Sequence, residues 1–277
     1  MKERVVFQDF NALWGGHVAA SVSPRMKDDQ EEQKFWQRFM ARKEGYAPEP
    51  STRPVVAALL ELMERYGVET ALELGPGWGN YTIDLARACR SLDCVDISRD
   101  VLDFILRIGR EQGCGNITTH HRKWEDFETE QPYDLVFGYN CFYRQADLRA
   151  CFERMGRCGK KLCVAGMNTG LAPKWVQELE EAGCSVGWEW KDYIYFVNVL
   201  YQMGIDPNVT ILPFTKTFAY ADEEALVRGE CARLKVEPQD PQSVREILLR
   251  HFRRDGDGML RAECKYRSAL VSWIPSA

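Results

Sequence analysis

The residues best suited by type and spacing to do chemistry lie in one short run, Glu73-Leu74-Gly75-Pro76-Gly77-Trp78-Gly79. An apolar stretch, 70–74, leads into it, and a helical pattern starting near Asn80 leads out. Glycine tolerates positive φ and lets backbone approach a ligand closely. The start of the following helix offers free N–H groups. The spacing is G-x-G-x-G, so the third glycine comes one residue earlier than in the G-x-G-x-x-G turn that cradles a pyrophosphate, and Asn80 stands where that turn carries Gly or Ala. Glu73 adds a carboxylate at the entrance, which repels a pyrophosphate and suits a ligand bearing positive charge. A second acid, Asp96, closes the apolar run 91–95, 17 residues beyond Gly79. A carboxylate there can accept both hydroxyls of a ribose.

Of the two nucleoside cofactors that use such a turn, this charge pattern favours cationic S-adenosylmethionine over NAD. The ribose role of Asp96 is common to both. Trp124-Glu125-Asp126 follows a third apolar run, and an aromatic beside paired acids can stack on an adenine and bond its exocyclic amine; a solvated loop anchored by its Trp is the competing reading. The run Tyr133–Asn140 ends in Gly138-Tyr139-Asn140, whose carboxyl end faces the same crevice. Candidate proton acceptors or substrate contacts around it are His120, His121, Tyr139, Asn140, Tyr143 and Arg144, with Arg144 able to hold an anionic group. Cys141 is the one cysteine beside the crevice and reads as a buried structural thiol. The aromatic stretch 188–201 is either a pocket wall or a helix burying its rings.

The elements that must position these residues follow from hydrophobic periodicity. Helical patterns occupy 55–66, 80–88 (with Asn80 as N-cap), 99–111 and 146–155, and they alternate with strands at 70–74, 91–95, 116–120, 133–137 and 161–166. Strands separated by helices mean a parallel sheet built of βαβ units. Beyond it, 175–182, 193–203, 223–234 and 243–252 read as helices, and 210–220 and 269–273 as strands. The expected fold is α/β: a seven-stranded, mostly parallel, doubly wound Rossmann-like sheet. An N-terminal helical cap (1–54, with a helix at 28–42) precedes the main domain (55–277), and a helical insertion at 172–208 before the last strands could serve as a substrate lid.

Composition limits the function classes. The 277 residues carry a net charge of −5 and no Lys/Arg run, so the electrostatic footprint of a nucleic-acid binder is missing. No stretch is long and apolar enough to span a membrane. The ten cysteines form no C-x-x-C pair, so a zinc site is not expected; reduced thiols and the missing signal segment point to the cytoplasm.

Glu73 with the G-x-G-x-G turn, Asp96, Trp124–Asp126 and Tyr133–Asn140, in this order and spacing, resemble the class I S-adenosylmethionine-dependent methyltransferases, chiefly over 55–167. The resemblance implies that Glu73, Gly75, Gly77 and Gly79 hold the amino-acid end of the cofactor and Asp96 the ribose. Ile97 would pack on the adenine, and Trp124, Glu125 and Asp126 would surround it, with Asn140 at the methyl-transfer site. It also implies that Phe35-Trp36 and Tyr46 close over the cofactor. The Asn/Asp-Pro-Pro-Tyr/Phe motif of amino-directed nucleic-acid methyltransferases is absent, so the expected acceptor is a small molecule, with catalytic candidates His121, Tyr139, Tyr143 and Arg144. A nicotinamide-dependent oxidoreductase and a non-catalytic S-adenosylmethionine-binding protein are the alternatives. Acceptor identity and oligomeric state, monomer or homodimer, are open at this level.

Overall fold

The computed structural model describes residues 8–21, 23–170, 172–187, 192–236 and 241–275. Two helices open the chain, α1 (Phe10–Ala20) and α2 (Asp29–Met40), each started by an aspartate. Asp9 accepts the Ala12 amide, and Asp28 accepts those of Gln30 and Glu31, satisfying first-turn N–H groups that have no partner within the helix. After α3 (Arg53–Arg65), strands and helices alternate: β1 (Thr70–Leu74), α4 (Thr82–Ala88), β2 (Ser91–Asp96), α5 (Arg99–Glu111), β3 (Ile117–His121), β4 (Tyr133–Tyr139), α6 (Leu148–Cys158) and β5 (Gly159–Thr169). These five strands pair in parallel in the order β3-β2-β1-β4-β5, as the βαβ pattern predicts. Then come α7 (Lys174–Glu181), α8 (Ile194–Gln202), β6 (Asn208–Tyr220), α9 (Glu223–Leu234), α10 (Pro241–His251), β7 (Arg253–Arg254) and β8 (Leu260–Trp273). The order continues β5-β8-β6, and β7 pairs with β8, giving eight strands among the described residues. The extra strand over the expected seven is the two-residue β7, too short to leave a periodic signal.

Side chains on successive strand residues point to opposite faces, and this divides the main core in two. Ala71, Leu135, Phe137, Leu162 and Val164 join α3, α4 and α5 on one face. Leu72, Leu74, Val136, Cys163 and Ala165 join α1, α6 and α8 on the other. The N-terminal helices therefore divide their labour. Trp14 of α1 is buried and donates its Nε1–H to the Gln145 carbonyl at 2.6 Å, while Met40 of α2 enters the first face.

The chain falls into two compact units. One takes in the chain up to Asn168, with Tyr193–Leu212 and the stretch from Ser268 onward; the other takes in Thr169–Asp192 and Pro213–Arg267. The second has its own core of Trp175, Val176, Leu179, Leu226, Leu234 and Leu248. Inside it Glu230, fully buried, accepts hydrogen bonds from Trp175, Tyr220 and Arg233. Of the aromatic stretch 188–201, residues 188–191 lie outside the described residues, and 194–202 form α8, with Phe196 buried against Trp14, Phe142 and Phe152. No helix among the described residues is long and apolar enough to cross a membrane.

One local expectation is corrected. Asn80 does not cap α4: the helix begins at Thr82, and Asn80 Oδ1 instead accepts the Glu49 amide at 3.0 Å, tying the preceding linker to the glycine turn.

Candidate active site

The glycine turn leaves β1 with positive φ at all three glycines, 59° at Gly75, 54° at Gly77 and 80° at Gly79. Their surroundings differ. A Cβ on Gly75 would stand 2.7 Å from Cys141 Cβ, and one on Gly79 would stand 2.5 Å from Ile108 Cδ1, so these two glycines permit close packing of the turn on the loop after β4 and on α5. A Cβ on Gly77 would meet only the Trp36 ring, at an ordinary 3.5 Å, so this glycine is covered by a side chain of α2 rather than packed on the core. Gly79→Ala combines φ strain with an overfilled core. We expect it to cost about 1–3 kcal/mol, read as a lowered midpoint of thermal unfolding.

Glu73, on β1, is buried and takes a thiol contact from Cys94 at 3.8 Å. Burial pushes its carboxyl up to about 7. Asp96 ends β2, is 8% exposed, and accepts the Ser98 amide on Oδ1 at 2.7 Å; no side-chain donor reaches it among the described residues. Burial, with the Glu32 carboxylate nearby, likewise lifts Asp96 to about 7. Two buried acids at the carboxyl ends of neighbouring strands, both disfavoured as anions, form a site that gains from a bound cation or hydroxyl donors.

The helix α2 lies over this turn. Trp36 packs on Gly77 and contacts Phe35, Phe39 and Trp78. Tyr46, half-buried, follows it and packs on the same core. The sequence pattern singles out neither Glu32 nor Arg25, yet the structure puts both in the crevice. Glu32 is 1% exposed and accepts Arg25 Nε at 2.7 Å and Nη2 at 3.1 Å, Trp36 Nε1 at 2.7 Å, and the Tyr143 hydroxyl. Burial opposes its charge, but these donors hold it below the ordinary carboxylate range. Its one sequence signal is the i, i+4 spacing to Trp36. Three residues, about one helical turn, beyond Asp29, it otherwise reads as a surface charge.

The remaining expected residues divide between crevice and core. Arg144 bonds Asp29 on α2 through Nη2 at 2.5 Å, and Lys123 takes the other Asp29 oxygen at 2.9 Å. Asn140 follows β4 at φ 52°, a non-glycine residue in the left-handed region, with its Oδ1 accepting the Asn168 amide at 2.9 Å. Tyr139 hydrogen-bonds Asn168 Oδ1 at 2.7 Å and Ser268 Oγ at 2.6 Å, and burial pushes its phenol up to about 12. Tyr143 is raised too, again by burial first and Glu32 second. Both phenols therefore keep their protons near neutrality and serve as hydrogen-bonding groups. His121 is exposed, its Nε2 on the Ile97 carbonyl at 2.9 Å, while His120 contacts Asp93 at 2.7 Å. Trp124 turns inward: its indole stacks on Phe127 and donates to Cys151 Sγ at 3.2 Å. Glu125 and Asp126 stay exposed, Glu125 accepting from Gln145 at 3.2 Å. Burial raises the Cys141 thiol well above its ordinary value, so it stays unreactive.

Residues 71–161 match the family model of a methyltransferase domain. Over these residues the chain carries a methyltransferase domain of the class I, S-adenosylmethionine-dependent kind. An uncharacterised protein of Haemophilus influenzae is 24% identical over 214 residues, 74% of each chain. Two solved structures share the methyltransferase fold. The N-methyltransferase NodS of Bradyrhizobium japonicum, in complex with S-adenosylhomocysteine, is 14% identical with a TM-score of 0.51, covering 88% of this chain and 98% of its own. Geranyl diphosphate C-methyltransferase of Streptomyces coelicolor is 15% identical with a TM-score of 0.51, covering 93% and 100%.

The crevice of this methyltransferase fits its cofactor class on two observations. The Gly77 backbone and the Asp96 carboxylate have no competing side-chain bond among the described residues. The buried indole N–H of Trp78, in the glycine turn itself, has no acceptor among the described residues.

Proposed function

We propose that this methyltransferase methylates a small molecule seated over the carboxyl ends of β4 and β5, with Asp96 and the Gly75–Gly79 turn holding the cofactor. The observation that carries this reading is the pairing of a buried acid at the end of β2, reached by no side-chain donor among the described residues, with a turn of three positive-φ glycines after β1. S-adenosylmethionine, when bound, supplies a methyl group already activated on a sulfonium. The chain's own work is then to bind, orient and exclude water.

In this reading Gly77 and its neighbours offer backbone to the amino-acid end, and Glu73 sets a negative field beneath it. Asp96 accepts the ribose hydroxyls, and Ile97 packs on the adenine, with Glu125 and Asp126 at its rim. Trp124 supports that rim from the core rather than stacking on the base, since its indole N–H is already bonded to Cys151. Trp36 and Tyr46 cover the cofactor from α2 and its following turn. Asn140, Tyr139 and Tyr143 line the acceptor side, where the two phenols orient the acceptor as protonated hydroxyls. His121 is the proton acceptor of this set only through Nδ1, because Nε2 faces a carbonyl that accepts and cannot donate. The lack of an Asn/Asp-Pro-Pro-Tyr/Phe ending on β4 and of a basic run supports a small acceptor over a nucleic acid.

The test is calorimetric titration of S-adenosylhomocysteine, with NADH as control. Saturable binding near one per chain, without NADH binding, is expected. Binding of NADH alone would overturn the assignment.

A further inference from the structure

We infer that Lys123 and Arg144 form a receptor for an oxyanion of the methyl acceptor, a carboxylate or a phosphate, and that Asp29 fills it while the acceptor is away. The inference rests on the methyl-transfer reading above and names the charge its acceptor carries.

The two cations come from the segments that follow β3 and β4, on the strand edge where ligands bind in this architecture. They converge on one carboxylate and take one oxygen each: Lys123 Nζ lies 2.9 Å from Asp29 Oδ2, and Arg144 Nη2 lies 2.5 Å from Asp29 Oδ1. Asp29 is thus seated as a free carboxylate would be. The seat is incomplete, however. Arg144 is the buried member, its side chain 16% exposed, and its Nε is buried with no acceptor among the described residues. A buried donor left unpaired costs about 1–3 kcal/mol. A guanidinium meets oxyanions best through a fork of two parallel N–H groups, and Asp29 engages only Nη2. An anion entering along Nε and Nη2 satisfies what Asp29 leaves open.

The competing carboxylate is easily displaced. Asp29 stands in the first turn of α2 with its side chain 38% exposed, so water receives it on release. Other charges nearby do not fill the receptor. Glu32 is held by Arg25 and Tyr143, Glu125 accepts from Gln145, and Asp96 accepts from the Ser98 backbone. A purely structural ion pair has no use for a buried, unpaired Nε, whereas a receptor awaiting a second oxygen does.

The test is a calorimetric titration of the full chain, with and without saturating S-adenosylhomocysteine, using inorganic phosphate in one series and acetate in the other. Wild type, Asp29→Asn, Arg144→Gln and Arg144→Lys are compared. Removing the internal competitor in Asp29→Asn is expected to tighten anion binding by about fivefold or more. Arg144→Gln is expected to weaken it by about tenfold or more. Arg144→Lys keeps the charge, loses the fork and falls between, which keeps the test alive should the glutamine variant not fold. The anion bound tighter names the acceptor group. A control compares S-adenosylhomocysteine with methylthioadenosine, which lacks the amino-acid carboxylate. An unchanged preference in the Arg144 variants places the anion on the acceptor. A lost preference gives Arg144 to the cofactor's own carboxylate and overturns the inference. So does an Asp29→Asn variant that binds neither anion better than wild type and differs only in thermal midpoint. Failure of the wild type to bind S-adenosylhomocysteine is read separately and overturns the methyl-transfer reading itself.

Discussion

Asp96→Ala is expected to keep the fold and to lose about 100-fold or more in affinity for S-adenosylhomocysteine at pH 8. Hydrogen bonds to an ionised acceptor contribute about 1.5–3 kcal/mol each, and the assigned role gives this carboxylate two ribose hydroxyls. The fold is expected to survive because the side chain's own bond is local: Oδ1 accepts the amide of Ser98, the residue that caps α5 through its hydroxyl on Val101. Losing that turn costs about 1 kcal/mol, partly offset because a carboxylate that burial disfavours has been removed. Asp96→Asn separates charge from shape, since it keeps one acceptor oxygen and loses the anion; its affinity is expected to fall between the two. Titration calorimetry and a thermal scan on the same samples check both halves. The opposite pattern, a large drop in thermal midpoint with wild-type affinity, would make Asp96 a turn-forming residue and remove the ribose assignment.

Asp96 also shows what the sequence makes legible. It ends a run of apolar residues at a fixed distance from a glycine turn, and both features are local in the chain. The same is true of β1 to β5 and their helices, whose residues alternate or recur with the period of their element. The crevice lid is less legible. Asp29, Glu31 and Glu32 are three acids in the first turns of α2, equivalent as letters. Only the path of the helix over Gly77 buries Glu32 among Arg25, Trp36 and Tyr143, and leaves Asp29 facing Lys123 and Arg144. Those partners lie up to 115 residues away, beyond any periodicity. Trp124 is ambiguous for a related reason: an indole after β3 can face a base or the core, and Cys151, 27 residues on, decides which. The length of β8 is a different case. Its first half, Leu260–Arg267, alternates Leu, Ala and Cys with Arg, Glu and Lys, which is a strand pattern, but the continuous apolar run Ala269–Trp273 is the stronger signal and marks only the buried end.

Glu73 and Asp96 together give stability and affinity opposite responses to pH. Both carboxyls are raised by burial to about 7 in the folded chain, against ordinary values of 4.5 and 3.8. Between those ordinary values and about 7, the folded chain binds more protons than the unfolded one, so stability falls as pH rises through that window and stays reduced above it. Each pKa unit corresponds to about 1.4 kcal/mol, so two such groups set a slope of a few kcal/mol between pH 5 and 8. The ligand-free chain is therefore expected to melt higher at pH 5.5 than at pH 8. Further acidification reverses the gain, because Glu32, Asp29 and Asp134 are held below their ordinary values by partners and lose those interactions on protonation. Affinity runs the other way. Ribose hydroxyls donate to ionised Asp96, and a cationic ligand is drawn by ionised Glu73, so binding of S-adenosylmethionine is expected to weaken as pH falls below about 7, by up to about tenfold per unit for each group. Glu73→Gln removes a buried charge and keeps the shape. It is expected to raise the thermal midpoint at pH 8, flatten the pH dependence of melting, and lower the affinity for the cationic cofactor more than for neutral S-adenosylhomocysteine. Thermal scans and titrations across pH 5.5–8.5 on wild type and Glu73→Gln check all three. A glutamine variant that loses stability at pH 8, or loses both ligands equally, would make Glu73 a structural hydrogen-bonding group of β1 rather than the source of the crevice's negative field.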